Sequence, residues 1–323
     1  MINKIFRKVL RILLKPFIRK KLFDYSNNKS LISISSNFLK YEEVSEYIIN
    51  RLNSKKSLMI SRFGYTELNT LFRYENIRKM NNLEKVYQWA QTLAYPFSEN
   101  CRLNNIHKLS GFYPVSEESL YFFRKEMIHS MQEIDLLGSW VEGENQYHRY
   151  LSKADICDLP SLEPYFCSKP WSLALKNKKV LIVHPFSSII ENQYREKRQY
   201  IFENKDILPE FQLKTLKTPI TYPGGEYKVK DWFQILDDLT YDALKIDFEV
   251  AIIGCGAYGM PLASRLKKAG KKSIHIGGSL QILFGIKGKR WDQIDIFRKM
   301  YNKSWVYPFT EKEYKNVEDG CYW

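Results

Sequence analysis

No apolar stretch in this 323-residue chain approaches the ~18 positions that a membrane-spanning helix needs, so no span is expected. Cysteine is scarce: Cys101, Cys157, Cys167, Cys255 and Cys321 form no C-x-x-C pair and are odd in number. That excludes a disulfide framework or a zinc site as the organising device and suits reduced thiols in a cytosolic protein. Fifteen glycines and twelve prolines are too few for a fibrous or low-complexity chain, and no internal repeat is visible. Acidic residues are in deficit, 36 against 50 lysines and arginines. The resulting formal charge of +14 points to an anionic partner: nucleic acid, anionic lipid or a phosphorylated ligand. What is plentiful is apolar and aromatic side chain, 44% and 15% of residues. That supports a real core, in one large α/β domain or two small ones, and rules out a disordered chain.

The positive charge is concentrated. Residues 1–23, MINKIFRKVLRILLKPFIRKKLF, hold eight lysines and arginines and no acid, which leaves only +6 for the remaining 300 residues. At 100° per residue, Ile2, Ile5, Phe6, Val9, Leu10, Leu13, Leu14, Phe17 and Ile18 form one broad face. Lys4, Arg7, Lys8, Arg11, Lys15 and Arg19 fall opposite them. Pro16 lacks an N–H and clashes with the preceding turn, so a kink or break is expected there. Arg11 and Lys15 interrupt the apolar stretch that a signal peptide would need. A basic helix with Phe, Leu and Ile on its other face suits an anionic membrane surface. The bland alternative is a helix packed on its own domain or in an oligomer, and nucleic acid is not expected as a partner. The expected organisation is therefore a membrane-surface segment over 1–24 and a single domain over 25–323, helix-rich to 172 and Rossmann-like from 173.

Ser36–Asn53 reads as a helix and Ser57–Gly64 as a short strand ending in a turn. Residues 66–172 are mostly helical signals broken by proline and glycine. The second half is cleaner. Strands are expected at Lys179–Val183, Phe211–Leu216, Glu249–Ile253 and Ser273–Ile276, with helices at about 188–203, 230–245 and 259–269 and a loop at Tyr222–Gly225. Strands alternating with helices imply a parallel sheet with helices on both faces, whose ligands bind at the strands' carboxyl ends.

Four motifs stand at such ends. Gly254-Cys255-Gly256-Ala257-Tyr258-Gly259 matches G-x-G-x-x-G between a strand and a helix. A nicotinamide dinucleotide would want an acid about 20 positions on, to hold its ribose; the next strand instead ends His275-Ile276-Gly277-Gly278. A phosphate or sugar contact and a purely structural tight turn both stay open. In Ser61-Arg62-Phe63-Gly64-Tyr65-Thr66-Glu67-Leu68 a cation and a carboxylate meet at a strand end; the plain reading is a helix start with Thr66 as cap and Glu67 beside the positive end of the dipole. In His184-Pro185-Phe186-Ser187-Ser188, hydroxyls at a helix start either bind phosphate or cap the helix, and His184 is either a base or a structural ring. Gly285-Ile286-Lys287-Gly288-Lys289-Arg290 brings three cations that either neutralise a diphosphate or form a solvated loop.

Taken together these segments resemble bacterial glycosyltransferases of the GT-D fold and their hypothetical-protein relatives from surface-polysaccharide loci. The resemblance spans roughly residues 57–323. It rests on R-x-G-x-x-E at Arg62–Glu67, on the unit Ala251–Gly278, on the block Gln281–Trp291 and on the ending Gly320-Cys321-Tyr322-Trp323. It implies transfer of a sugar from a nucleotide donor, with a divalent cation (Mn or Mg) held on an Asp-x-Glu beside the donor diphosphate. Here Tyr65 stands where that Asp would be and only Glu67 matches. On this reading Arg62, Gly64, His184, Ser187, Ser188, Gly254, Gly256, Gly259, Lys287, Lys289 and Arg290 are the donor-binding candidates. Lys287, Lys289 and Arg290 would supply the positive charge that a lost metal no longer gives. Glu67 is the first candidate for the base toward the acceptor hydroxyl, with Glu142 and Glu144 behind it. The acceptor would be a surface glycan or a lipid-linked one, as in capsule or other polysaccharide synthesis, reached on the cytoplasmic face of the cell membrane through residues 1–23. The competing reading is an NAD(P)-dependent oxidoreductase or a catalytically inactive nucleotide-binding subunit.

Overall fold

The computed structural model describes residues 2–18, 25–36, 38–92, 103, 105–219, 221 and 231–308. The Tyr222–Gly225 loop, the ending Gly320–Trp323, Arg19 and the cysteines Cys101 and Cys321 lie outside them. Seven strands form one sheet: β1 Leu58–Arg62, β2 Leu136–Ser139, β3 Asp155–Asp158, β4 Lys179–His184, β5 Gln212–Lys217, β6 Val250–Ile253 and β7 Lys272–His275. Their order is β3-β2-β1-β7-β6-β4-β5, and every pair is parallel.

Side chains alternate across each strand, so the sheet separates two cores. Met59, Leu137, Leu181, Val183, Ala251 and Ile253 pack on one face, under helices Tyr65–Arg78, Glu117–Met131, Trp232–Lys245 and Gly259–Lys268. Leu58, Ile60, Leu136, Cys157, Val180, Ile182, Val250, Ile252 and Ile274 pack on the other, against helix Tyr41–Asn53 and the turns of residues 159–175. Burial on both faces makes β4 and β6 continuous apolar runs, whereas the edge strand β5 is half exposed along its length.

Two features depart from the expectation for the first half. The region 66–172 contains β2 and β3, and both are four residues long. Gly138 stands inside β2 because a Cβ there would lie 2.4 Å from Leu162 Cδ1, in the turn packed on the strand. A glycine and two terminal aspartates mask strand character that is set by neighbours rather than by propensity. The helix expected over Ser36–Asn53 begins at Tyr41, after a short helix at Leu31–Ile34. Leu39 is extended and donates its N–H to the Ile156 carbonyl at 2.9 Å, adding a bridge beside β3.

The topology also explains where a ligand can enter. β4 and β6 are hydrogen-bonded neighbours. The chain leaving β4 runs into helix Ser187–Asn192, whose Ile190 packs on the second face. The chain leaving β6 runs into helix Gly259–Lys268 on the first face. Connections that diverge from adjacent parallel strands open a crevice at their carboxyl ends.

At the amino end, helix Ile2–Leu14 gives way at Pro16 to a 3-10 turn over Lys15–Phe17, the expected break. The helix lies along helix Asn82–Thr92. Arg7 donates to the Ala90 carbonyl at 2.9 Å, and its guanidinium stands 6.0 Å from the Trp89 ring centroid.

Candidate functional site

A cleft of about 490 Å³ opens at the carboxyl edge of the sheet. Arg62 and Gly64–Glu67 reach it from the end of β1, Trp140 from β2, and His184–Phe186 from β4. Thr218 and Pro219 reach it from β5, Gly254–Tyr258 from β6, and His275 and Gly278 from β7. Lys108–Gly111, Met127, Thr221, Met260, Gln281 and Arg290 complete the described wall.

Arg62 is held in place. Its Nε donates to the Phe63 carbonyl at 2.9 Å, and Trp140 Nε1 donates to the same oxygen at 2.9 Å. The guanidinium therefore lies on the indole, 4.7 Å from its centroid, a cation–π contact. A Cβ on Gly277 would come within 2.9 Å of Arg62 Nη1, and the φ of +67° there suits glycine, so the turn after β7 leaves room for the cation. The helix after β1 starts at Tyr65 with Gly64 as its N-cap and no side-chain cap, so Thr66 does not take the expected capping position. Glu67, only 7% exposed, folds back onto Gly64. An added Cβ at Gly64 would stand 1.8 Å from Glu67 Oε2, so glycine there lets the carboxylate keep this position.

Two histidines sit in the cleft wall. His184 Nδ1 accepts the Phe186 N–H at 3.0 Å, and burial pulls its pKa down to about 3. His275 Nδ1 lies 3.0 Å from Ser61 Oγ, on the neighbouring strand where Ile60 pairs with Ile274. Burial first, and the charge of Arg62 second, pull His275 down to about 3. Both rings are neutral near pH 7.

Neighbouring groups account for the glycines of the G-x-G-x-x-G turn. A Cβ on Gly254 would meet the Gly277 carbonyl at 2.5 Å, on Gly256 the Ser110 carbonyl at 2.9 Å, and on Gly259 His275 Nε2 at 2.3 Å. Gly254 and Gly256 line the cleft, while Gly259 is spent on packing against His275. Tyr258 anchors the turn by stacking on Trp232, with centroids 5.4 Å apart and planes at 15°, and its hydroxyl lies 2.9 Å from Thr221 Oγ1.

The remaining candidates separate. Ser187 is buried, Ser188 is exposed, and neither is on the cleft wall. Lys287 Nζ lies over the rings of Tyr301 and Tyr307, at 5.0 and 5.3 Å. Lys289 is exposed away from the cleft, and Arg290 alone of the three cations lines it. Glu142 is exposed off the site. Glu144 is fully buried and structural: Oε1 accepts the Trp140 and Val141 N–H groups, each at 3.0 Å. Its Oε2 accepts the Leu31 N–H at 3.0 Å and also takes the Ser139 hydroxyl.

The described cleft wall thus carries three cations, Arg62, Lys108 and Arg290, against one carboxylate, Glu67. Among the described residues no group of three or more His, Cys, Asp and Glu side chains could hold a metal ion, and Tyr65 is 61% exposed. Glu67 is the one carboxylate that the described cleft wall offers a divalent cation. Lys108, Trp140, Thr218 and His275 were not foreseen from sequence. The first three lie outside every motif, and His275 stands where an acid was sought.

No family model matches the chain, and no curated protein sequence matches it. Among solved structures it is similar to a selenomethionine-substituted domain of unknown function 1792. The identity is 14% and the TM-score 0.41, over 95% of this chain and 98% of that one. It is also similar to a structure described as the highly conserved domain of unknown function 1792 with a distinct glycosyltransferase fold. There the identity is 13% and the TM-score 0.35, over 92% and 96% of the two chains. Likenesses this low leave the chemistry to the cleft's own residues.

The buried histidines give a pH signature. Their folded pKa values of about 3 lie below the unfolded value of about 6.5. Between those limits the unfolded chain binds more protons, so their contribution to stability is full above about pH 6.5 and is lost as pH falls toward 3. Each ring contributes a slope of up to about 1.4 kcal/mol per pH unit in that window. Urea unfolding of His184→Gln between pH 7 and 5 should show a shallower loss of stability than the parent chain by about that amount, whereas equal slopes would mean that His184 protonates freely in the fold.

Proposed function

We propose that this chain is a glycosyltransferase that moves a sugar from a nucleoside-diphosphate donor to a surface-glycan or lipid-linked acceptor. The observation that carries the reading is the charge of the cleft, three cations facing one carboxylate where the chains leaving β4 and β6 diverge. A diphosphate is the leaving group in such a transfer, and its charge grows as the bond to the anomeric carbon breaks. Arg62 and Arg290 line the cleft and would hold that charge, and the Arg62 guanidinium, already oriented by the Phe63 carbonyl, would do so with little reorganisation.

Glu67 is the base in this scheme. As the C1–O bond to the diphosphate breaks, the acceptor oxygen bonds to C1 and its proton passes to the Glu67 carboxylate. Such a displacement inverts the anomeric centre.

The acceptor is met, in the same reading, at an anionic membrane surface. Ile5, Phe6, Val9, Ile12, Leu13 and Phe17 are 48–70% exposed, while Arg7, Leu10 and Leu14 face the domain and are half buried. The apolar face of the helix therefore points away from the protein. Lys8, Arg11 and Lys15 are exposed along its flank, where they can meet lipid phosphates. No helix among the described residues is long and apolar enough to cross a membrane.

Calorimetric titration of nucleoside diphosphates tests the cleft. Arg290→Ala should weaken binding by roughly 10- to 100-fold, the worth of one charge-assisted hydrogen bond of about 1.5–3 kcal/mol. Lys289→Ala, one residue away but off the wall, should leave it unchanged. Parental affinity in Arg290→Ala would remove the diphosphate from this end of the cleft. For the membrane, co-sedimentation with vesicles of phosphatidylglycerol and phosphatidylcholine should fall at least tenfold in Phe6→Glu/Ile12→Glu. Undiminished sedimentation of that variant would refute the surface reading.

A further inference from the structure

Where β4 and β5 end, the cleft wall carries two neutral polar side chains, His184 and Thr218. Their backbones are adjacent, since β5 pairs Lys217 with His184 and Thr218 follows directly, and both side chains line the cleft. Thr218 is 1% exposed yet lines the cleft, and its Oγ1 is buried with no hydrogen-bond partner. A buried hydroxyl left unbonded is costly, so native structures rarely keep one without a use. Beside it, His184 Nδ1 is occupied by the Phe186 N–H. The neutral ring therefore carries its proton on Nε2, which is left as a donor.

We infer that Thr218 and His184 form a subsite for the hydroxyl groups of a polyhydroxylated ring, either the transferred sugar or the ribose of the donor. A neutral donor beside an amphoteric hydroxyl suits adjacent ring hydroxyls, each of which both donates and accepts. It does not suit a phosphate, whose charge these two neutral groups would leave unmet. The inference rests on the nucleotide-sugar reading of the cleft and adds to it a direction: diphosphate toward Arg62 and Arg290, ring toward β4 and β5.

The test is Thr218→Val, which keeps the shape and removes the hydroxyl, with Thr218→Ser as the variant that restores it. Calorimetry on the full chain compares pyrophosphate, UDP or GDP, and UDP-glucose or GDP-mannose. Thr218→Val should bind pyrophosphate as the parent does and lose about three- to tenfold for a ring-bearing ligand, the worth of one neutral hydrogen bond. A loss seen already with the nucleoside diphosphate assigns the subsite to ribose, and a loss seen only with the nucleotide sugar assigns it to the sugar. Thr218→Ser should recover most of the affinity. The melting temperature of Thr218→Val should equal or exceed the parent's, because the hydroxyl it removes has no partner. Unchanged affinity for all three ligands, or an equal loss for pyrophosphate, overturns the subsite while leaving the cleft's function standing. A parent chain that binds none of them fails the wider reading, and the subsite with it.

Discussion

β4 and β6 are bonded to each other along four residue pairs and then send their chains to opposite faces of the sheet. Nothing can fill the gap between diverging backbones except what enters from the carboxyl edge. The Gly254–Tyr258 turn and the His184–Phe186 turn become the two sides of that gap. His184 and Gly254 meet across it, with the imidazole Cδ2 3.0 Å from where a Cβ on Gly254 would stand. Apolar packing on both faces fixes the strands, the strands fix the divergence, and the divergence sets where charged and polar side chains can converge.

A second layer aims the cation. Glu144 lies fully buried and takes three backbone N–H groups, from Leu31, Trp140 and Val141, so the chain leaving β2 is tied to the start of the short helix Leu31–Ile34. Buried carboxylates persist where such donors surround them. Trp140 is positioned by that tie, and it shares the Phe63 carbonyl with Arg62 while offering its ring to the guanidinium. An acid first considered as a base thus acts two contacts away from the cleft, through an indole.

Strands flanked by glycine or proline and buried on both faces were legible from the sequence, because β4 and β6 are short apolar runs ended by turns. β2 and β3 were not, since four residues containing Gly138 or bounded by Asp155 and Asp158 show no period, and only their neighbours make them strands. The site divides in the same way. Arg62, Gly64 and Glu67 were visible together because one strand end and one helical turn bring them together. Trp140, Thr218 and Lys108 arrive from segments tens of residues apart, and only the sheet order joins them. In the Gly285–Arg290 loop, composition showed three cations, but the bridge of Ile286 to Val306 and the rings of Tyr301 and Tyr307 decide that Lys287 turns aside and Arg290 faces the cleft.

The central claim is that the crevice between the ends of β4 and β6 holds a nucleotide diphosphate against arginine. A crystal structure of the full chain grown with a nucleoside diphosphate measures this directly. The account predicts phosphate oxygens within hydrogen-bonding distance of the Arg62 and Arg290 guanidinium groups, beside the Gly254–Tyr258 turn. Phosphates bound at another edge or face of the sheet, with both arginines untouched, would contradict it.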